Sequence, residues 1–192
     1  MRPLLATLVV TVGACTTHPI YDHPQNPQIQ GEIRQVVKEV RNLSGEPLYE
    51  RLRQLVAYDV FSVDEVTKLC RDPNPRLRSN AMWVLGQIGD PNYEDIERRI
   101  LTALRRGSRD ADRIVRYEAA SGLLLHNHWD AIPILLEGLA DPEPGISHNC
   151  NVVLTQVTSR NFGFDIDAPP EERMAAVQRW RDWYKDWHIS QG

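Results

Sequence analysis

Between Glu32 and Leu43 the apolar residues fall at Ile33, Val36, Val37, Val40 and Leu43, the three- and four-residue spacing that lines one face of an α-helix. Pro47 to Tyr58 repeats the pattern with Leu48, Leu52, Leu55 and Val56, and Ser44-Gly45-Glu46-Pro47 reads as the turn between two amphipathic helices. Such a pair suits the N-terminal end of a helical array, where a hydrophobic face would otherwise lie open.

Beyond it the pattern becomes a repeat. Val66 to Pro73 followed by Leu77 to Asp90, Ile100 to Leu104 followed by Val115 to Leu123, and Ile134 to Pro142 followed by Ile146 to Leu154 superimpose on one another. Each unit predicts a helix, an Asp-containing break and a second helix. Pro73, Pro75, Pro142 and Pro144 stand at the breaks, where proline is tolerated in a first helical turn. Small residues recur at Ala81, Ala119 and Cys150, where helices would approach closely, and Leu85, Leu123 and Leu154 follow four positions later on the same face.

The second helices open Leu77-Arg78, Val115-Arg116 and Ile146-Ser147, and the first ends Leu85-Gly86-Gln87-Ile88-Gly89-Asp90. This resembles the HEAT-repeat family in its short bacterial HEAT-like form, with aliphatic-Arg-x-x-Ala-x-x-x-Leu-Gly followed by Gly-Asp. The second unit departs by lacking the Gly-Asp, and the third has Ser147 for Arg and Cys150 for Ala. The resemblance implies an all-α fold, a right-handed superhelical α-solenoid of HEAT-like helix pairs over residues 31–160. Residues 161–192 are expected to form a loop and a C-terminal capping helix, about Glu171 to Trp187, whose Val177, Trp180, Trp183, Tyr184 and Trp187 would cover the last repeat.

The N-terminus carries an address. Arg2 precedes the apolar run Leu4 to Val12, which is too short to cross a bilayer but suits a signal peptide over residues 1–14. Val12-Gly13-Ala14-Cys15 resembles the lipobox of bacterial lipoproteins, which implies a lipid on Cys15 and an envelope location on the extracytoplasmic side. Residues 15–30, with Pro19, Pro24 and Pro27 among polar residues, read as a flexible tether.

Composition narrows the function. The 192 residues are 42% hydrophobic and 25% charged, as in a globular protein, and the formal net charge of −4 argues against nucleic acid as a partner. Cys15, Cys70 and Cys150 have neither metal-ligand nor C-x-x-C spacing. His126-x-His128 has no third ligand nearby, and no Walker, G-x-S-x-G or H-E-x-x-H motif occurs. No metal, cofactor or catalytic residue is therefore expected.

What remains is surface. The resemblance places the second helices on the concave side, with Ser79, Asn80, Trp83 and Gln87, then Tyr117, Glu118 and Ser121, then His148, Asn149, Val152 and Gln156 facing outward. Trp83 and Tyr117 are the aromatic anchors expected to bind a protein partner. Arg98, Arg99, Arg105, Arg106, Arg109 and Arg113, opposed only by Asp110 and Asp112, would add attraction. These readings predict a non-catalytic protein-interaction scaffold tethered to the envelope, and not an enzyme. An enzyme-associated, tetrapyrrole lyase-like HEAT protein and a purely structural spacer are the alternatives.

Overall fold

The computed structural model describes residues 26–89 and 92–190, and among them it contains nine α-helices and no strand. Helix α1 (Pro27–Val40) starts inside the segment expected to be a tether. The reason is local: the Asn26 side chain accepts from the Gln28 and Ile29 amides, at 3.0 and 3.5 Å, and Pro27 occupies the first turn. Ile29, 4% exposed, extends the buried stripe of Ile33, Val36, Val37 and Val40 by one turn. The rest of the expected tether, the signal peptide and Cys15 lie outside the described residues. Helix α2 (Gly45–Ala57) follows a turn in which Gly45 has φ +61° and packs its Leu48, Leu52 and Leu55 against α1.

Three helix pairs then occupy the predicted repeats. They are α3 (Val63–Leu69) with α4 (Pro75–Gln87), α5 (Glu94–Gly107) with α6 (Arg113–Leu125), and α7 (Ile132–Leu139) with α8 (Pro144–Thr158). The repeated small residues Ala81, Ala119 and Cys150 and the repeated Leu85, Leu123 and Leu154 are all buried. The second helices pack side by side, α4 on α6 and α6 on α8. Glycine sets the first of these spacings: a Cβ on Gly86 would lie 2.6 Å from the Gly122 Cα, so the two backbones meet directly.

A repeated electrostatic device links the units. At each turn an Asp carboxylate accepts from the amide two residues on: Asp72 from Asn74, Asp110 from Asp112 and Asp141 from Glu143, each at 2.9 Å. Each also receives an arginine from the preceding unit. Arg41 reaches Asp72 at 2.6 Å, Arg78 holds Asp110 through two bonds at 2.9 and 2.8 Å, and Arg113 pairs with Asp141. Arg78 and Arg116 donate as well to carbonyls of the turn before their own helix, Asp72 and Pro73 for one, Asp110 and Ala111 for the other. In the third unit Ser147 replaces this arginine and only closes on Pro144 within its own first turn.

Helix α9 (Pro170–Ser190) packs on α7, starting one residue before and ending three after the predicted span. Trp180 is fully buried and meets Phe162 edge to face at 4.7 Å, while Arg179 donates to the Phe162 carbonyl at 2.9 Å. Trp183 and Trp187 stack onward to Trp129, whose ring centroid lies 5.0 Å from that of Trp187.

Two stability measurements follow from this packing. Gly86→Ala is expected to lose about 1–3 kcal/mol through overpacking. Gly31→Ala, in α1 with nothing within 4 Å of its added Cβ, is expected to gain up to about 1 kcal/mol. Urea denaturation would show opposite shifts in midpoint, and equal shifts would contradict the backbone contact. The hydrogen bonds from Arg78 hold the Asp110 carboxyl below its usual range, so its contribution is present above that range and vanishes as acid protonates it. Asp110→Asn should therefore cost about 1.5–3 kcal/mol near neutrality, and the gap should narrow below about pH 4.

Candidate functional site

The side-by-side second helices leave a groove of about 260 Å³. Gly86 and Gly122 contribute where the backbones meet, and the lining continues through Trp83 and Gln87 of α4, Glu118, Ser121 and Leu125 of α6, and Asn149, Val152, Val153 and Gln156 of α8. Helical periodicity explains the set. In α6, Val115, Ala119, Gly122 and Leu123 turn into the protein, which leaves Glu118, Ser121 and Leu125, spaced three and four apart, on the groove side. Asn80, Trp83 and Gln87 form the matching stripe on α4.

Glu118 is the distinctive group. It makes no ion pair or hydrogen bond among the described residues, and burial pushes its carboxyl up to about 7. Asp72, Asp110 and Asp141, by contrast, are all held by arginines. An isolated carboxyl that titrates near neutrality exists in both protonation states at working pH, as a proton-transferring group must. Around it stand free polar groups: Gln87, Asn149 and Gln156 make no side-chain hydrogen bond within the described residues. The Asn80 Nδ2, on α4 at the repeat position equivalent to Glu118, is buried with no acceptor among the described residues.

The expected anchors divide. Trp83 lines the groove, whereas Tyr117 sits against the next pair, its ring 3.1 Å from where a Cβ on Gly138 would lie. Burial and the nearby Asp141 raise the Tyr117 hydroxyl above its usual value. The arginines divide too. Arg99 pairs with Asp64, and Arg113 with Asp141 and Glu143, so both hold units together. Arg98, Arg105, Arg106 and Arg109 remain exposed on α5 and the turn after it.

Nothing in the groove gathers metal ligands. Among the described residues no three His, Cys, Asp or Glu could hold an ion. His126 is structural, its Nδ1 2.8 Å from Glu97 and its Nε2 3.2 Å from the Leu85 carbonyl, while the His128 Nδ1 lies 4.0 Å from Asp130. Cys70 and Cys150 are free, and burial pushes both thiols up to about 12. Periodicity turns Glu118 outward, but it cannot show that nothing pairs with it.

The raised carboxyl carries a sign. With its folded value near 7 above the ordinary 4.5, Glu118 favours folding below about pH 4.5, and that advantage disappears as pH rises through 7. Glu118→Gln should therefore gain on the native protein as pH increases, by on the order of 2–3 kcal/mol between pH 4 and 8. Parallel stability curves would contradict an isolated, desolvated carboxyl.

Comparison with known proteins reaches the first of these helices, α4. Residues 77–110, from α4 to the turn after α5, match the PBS lyase HEAT-like repeat family. The chain is 27% identical over 132 residues to deoxyhypusine hydroxylase of Drosophila melanogaster, covering 67% of this chain and 42% of that protein. It is 27% identical over 157 residues to deoxyhypusine hydroxylase-B of Oryza sativa subsp. japonica, covering 79% and 50%. The chain thus spans half or less of the length of these curated relatives. They are enzymes, and this overturns the expectation of a non-catalytic scaffold and of a protein that is not an enzyme. That expectation rested on the lack of a contiguous catalytic motif in the sequence. The chain carries a HEAT-like repeat of the PBS lyase type within an all-helical fold.

Proposed function

We propose that this chain is the substrate-engaging part of a HEAT-like enzyme, and that the groove between α4, α6 and α8 is where the substrate enters. The observation that carries the reading is the half-buried Glu118 carboxyl, which lines the groove with Trp83 and has no partner among the described residues. In this reading the helix pairs continue as a right-handed superhelix with the groove on its concave side.

The chemistry suggests a cationic amine. A carboxylate and the face of an indole both attract an ammonium group, and a half-dry groove strengthens both. Binding draws Glu118 into its ionised form, its proton passing to solvent, and a carboxylate–ammonium pair results. Gln87, Asn149 and Gln156 can orient polar groups flanking that amine, while Val152, Val153 and Leu125 contact its alkyl part. A volume of about 260 Å³ lies below the roughly 300–1,000 Å³ of sites that enclose whole ligands, which favours a side-chain-sized group. Hydroxylation, which the relatives' name implies, calls for an oxygen-activating group. The described residues do not form a metal-ligand set, so no oxidative step is assigned to them.

Free deoxyhypusine and n-butylammonium are suitable probes, followed through the Trp83 indole N–H signal in ¹⁵N NMR. Saturable shifts in the native protein, weakened at least tenfold in Glu118→Gln, are expected. Absent saturation, or equal affinity in the variant, would remove the groove from consideration.

We also propose that Cys15 carries a lipid that tethers the chain to the cell envelope, on the strength of the Val12-Gly13-Ala14-Cys15 motif. Mass spectrometry of protein from its native host should find a lipidated Cys15 at the mature N-terminus. An intact Met1, or a Cys15→Ser protein still membrane-bound, would contradict it.

A further inference from the structure

A second charged surface lies apart from the groove, and the function proposed for the groove makes no use of it. At the end of α5 and in the turn that follows, Thr102, Arg105, Arg106, Arg109 and Asp110 line a shallow depression. Thr102 spends its hydroxyl proton on the Arg98 carbonyl at 2.7 Å. Asp110, the one acid in the lining, has both carboxylate oxygens occupied by Arg78 at 2.9 and 2.8 Å, which neutralises its charge. Arg106 and Arg109 have no ion pair or side-chain hydrogen bond among the described residues, and Arg105 meets only the His128 Nδ1 at 3.4 Å.

Many other arginines of the helical body are answered by carboxylates. Arg41, Arg51, Arg53, Arg78, Arg99 and Arg113 each pair with a carboxylate. Three guanidiniums within five residues repel one another, an arrangement that costs stability unless something anionic answers it. Their positions partly suit the negative end of the α5 dipole. Arg109 lies past the helix end, however, and faces the same depression as the other two. With three planar, multiply donating side chains lining one depression, the set matches a phosphate group better than a single carboxylate.

We infer that this depression is an oxyanion site that takes a phosphate group through Arg105, Arg106 and Arg109. The phosphate can be free in solution or the headgroup of an anionic phospholipid, and the two sources separate by experiment. The full chain would be titrated with inorganic phosphate against chloride at constant ionic strength, following arginine Nε–H signals by NMR. In parallel it would be sedimented with phosphatidylglycerol vesicles and with phosphatidylcholine vesicles. The variants are Arg106→Gln/Arg109→Gln and, as a control for exposed positive charge, Arg181→Gln/Lys185→Gln on α9. Saturation by phosphate that weakens at least tenfold in the first variant and is unchanged in the second supports the site. Additional phosphatidylglycerol sedimentation, lost in the first variant alone, identifies the lipid headgroup, and phosphate binding without it identifies a soluble ligand. Neither phosphate saturation nor variant-sensitive sedimentation, or equal losses in both variants, would overturn the inference.

Discussion

The contact between Gly86 and Gly122 governs much of this molecule. With no Cβ on either residue, α4 and α6 approach until their backbones touch, and the residues at either side of that contact are brought to one surface. Trp83 and Gln87 on one helix and Glu118, Ser121 and Leu125 on the other become neighbours because of it. The third second helix, α8, completes the wall with Asn149, Val152, Val153 and Gln156. Close packing at the floor is also what keeps the groove narrow enough to desolvate a carboxyl.

Charge does the complementary work at the turns. Asp72, Asp110 and Asp141 each order their own turn and receive an arginine from the unit before, so the linkage between units is written in ion pairs as well as in apolar packing. The arginine whose pair is most enclosed is Arg78, with 17% of its side chain exposed against 16% for Asp110. Exposed pairs such as Arg53 with Glu46 contribute little by comparison. Against that background Glu118, with no partner among the described residues, and Arg106 and Arg109, with no carboxylate among them, stand out at the two surfaces described above.

Much of the architecture was legible in the sequence, because apolar periodicity and small residues at Ala81, Ala119 and Cys150 encode helix pairs directly. The start of α1 was not: three prolines suggested an unstructured tether, but Pro27 after the capping Asn26 begins a helix, and Ile29 finds a place in the core. The groove was half legible. Outward-facing positions on the second helices included Trp83 and Glu118, yet aromatic size drew attention to Trp83 and Tyr117. What sets Glu118 apart is the absence of a partner among the described residues, which depends on distances across three helices. Tyr117, one residue earlier, turns by about 100° around the helix and reaches the next pair instead. The reading as a non-enzyme rested on the lack of a contiguous catalytic motif, and a site of the kind proposed for the groove, dispersed over α4, α6 and α8, would leave none.

The most direct test is the ionisation of Glu118 itself. A ¹³C NMR titration of side-chain carboxyls in uniformly labelled protein, with the Glu118 signal assigned by its loss in Glu118→Gln, reads that group alone. A carboxyl desolvated in the groove and paired with nothing gives a midpoint near 7. A midpoint at the ordinary 4.5 would mean that water reaches Glu118 freely, and the groove would lose its claim to proton chemistry.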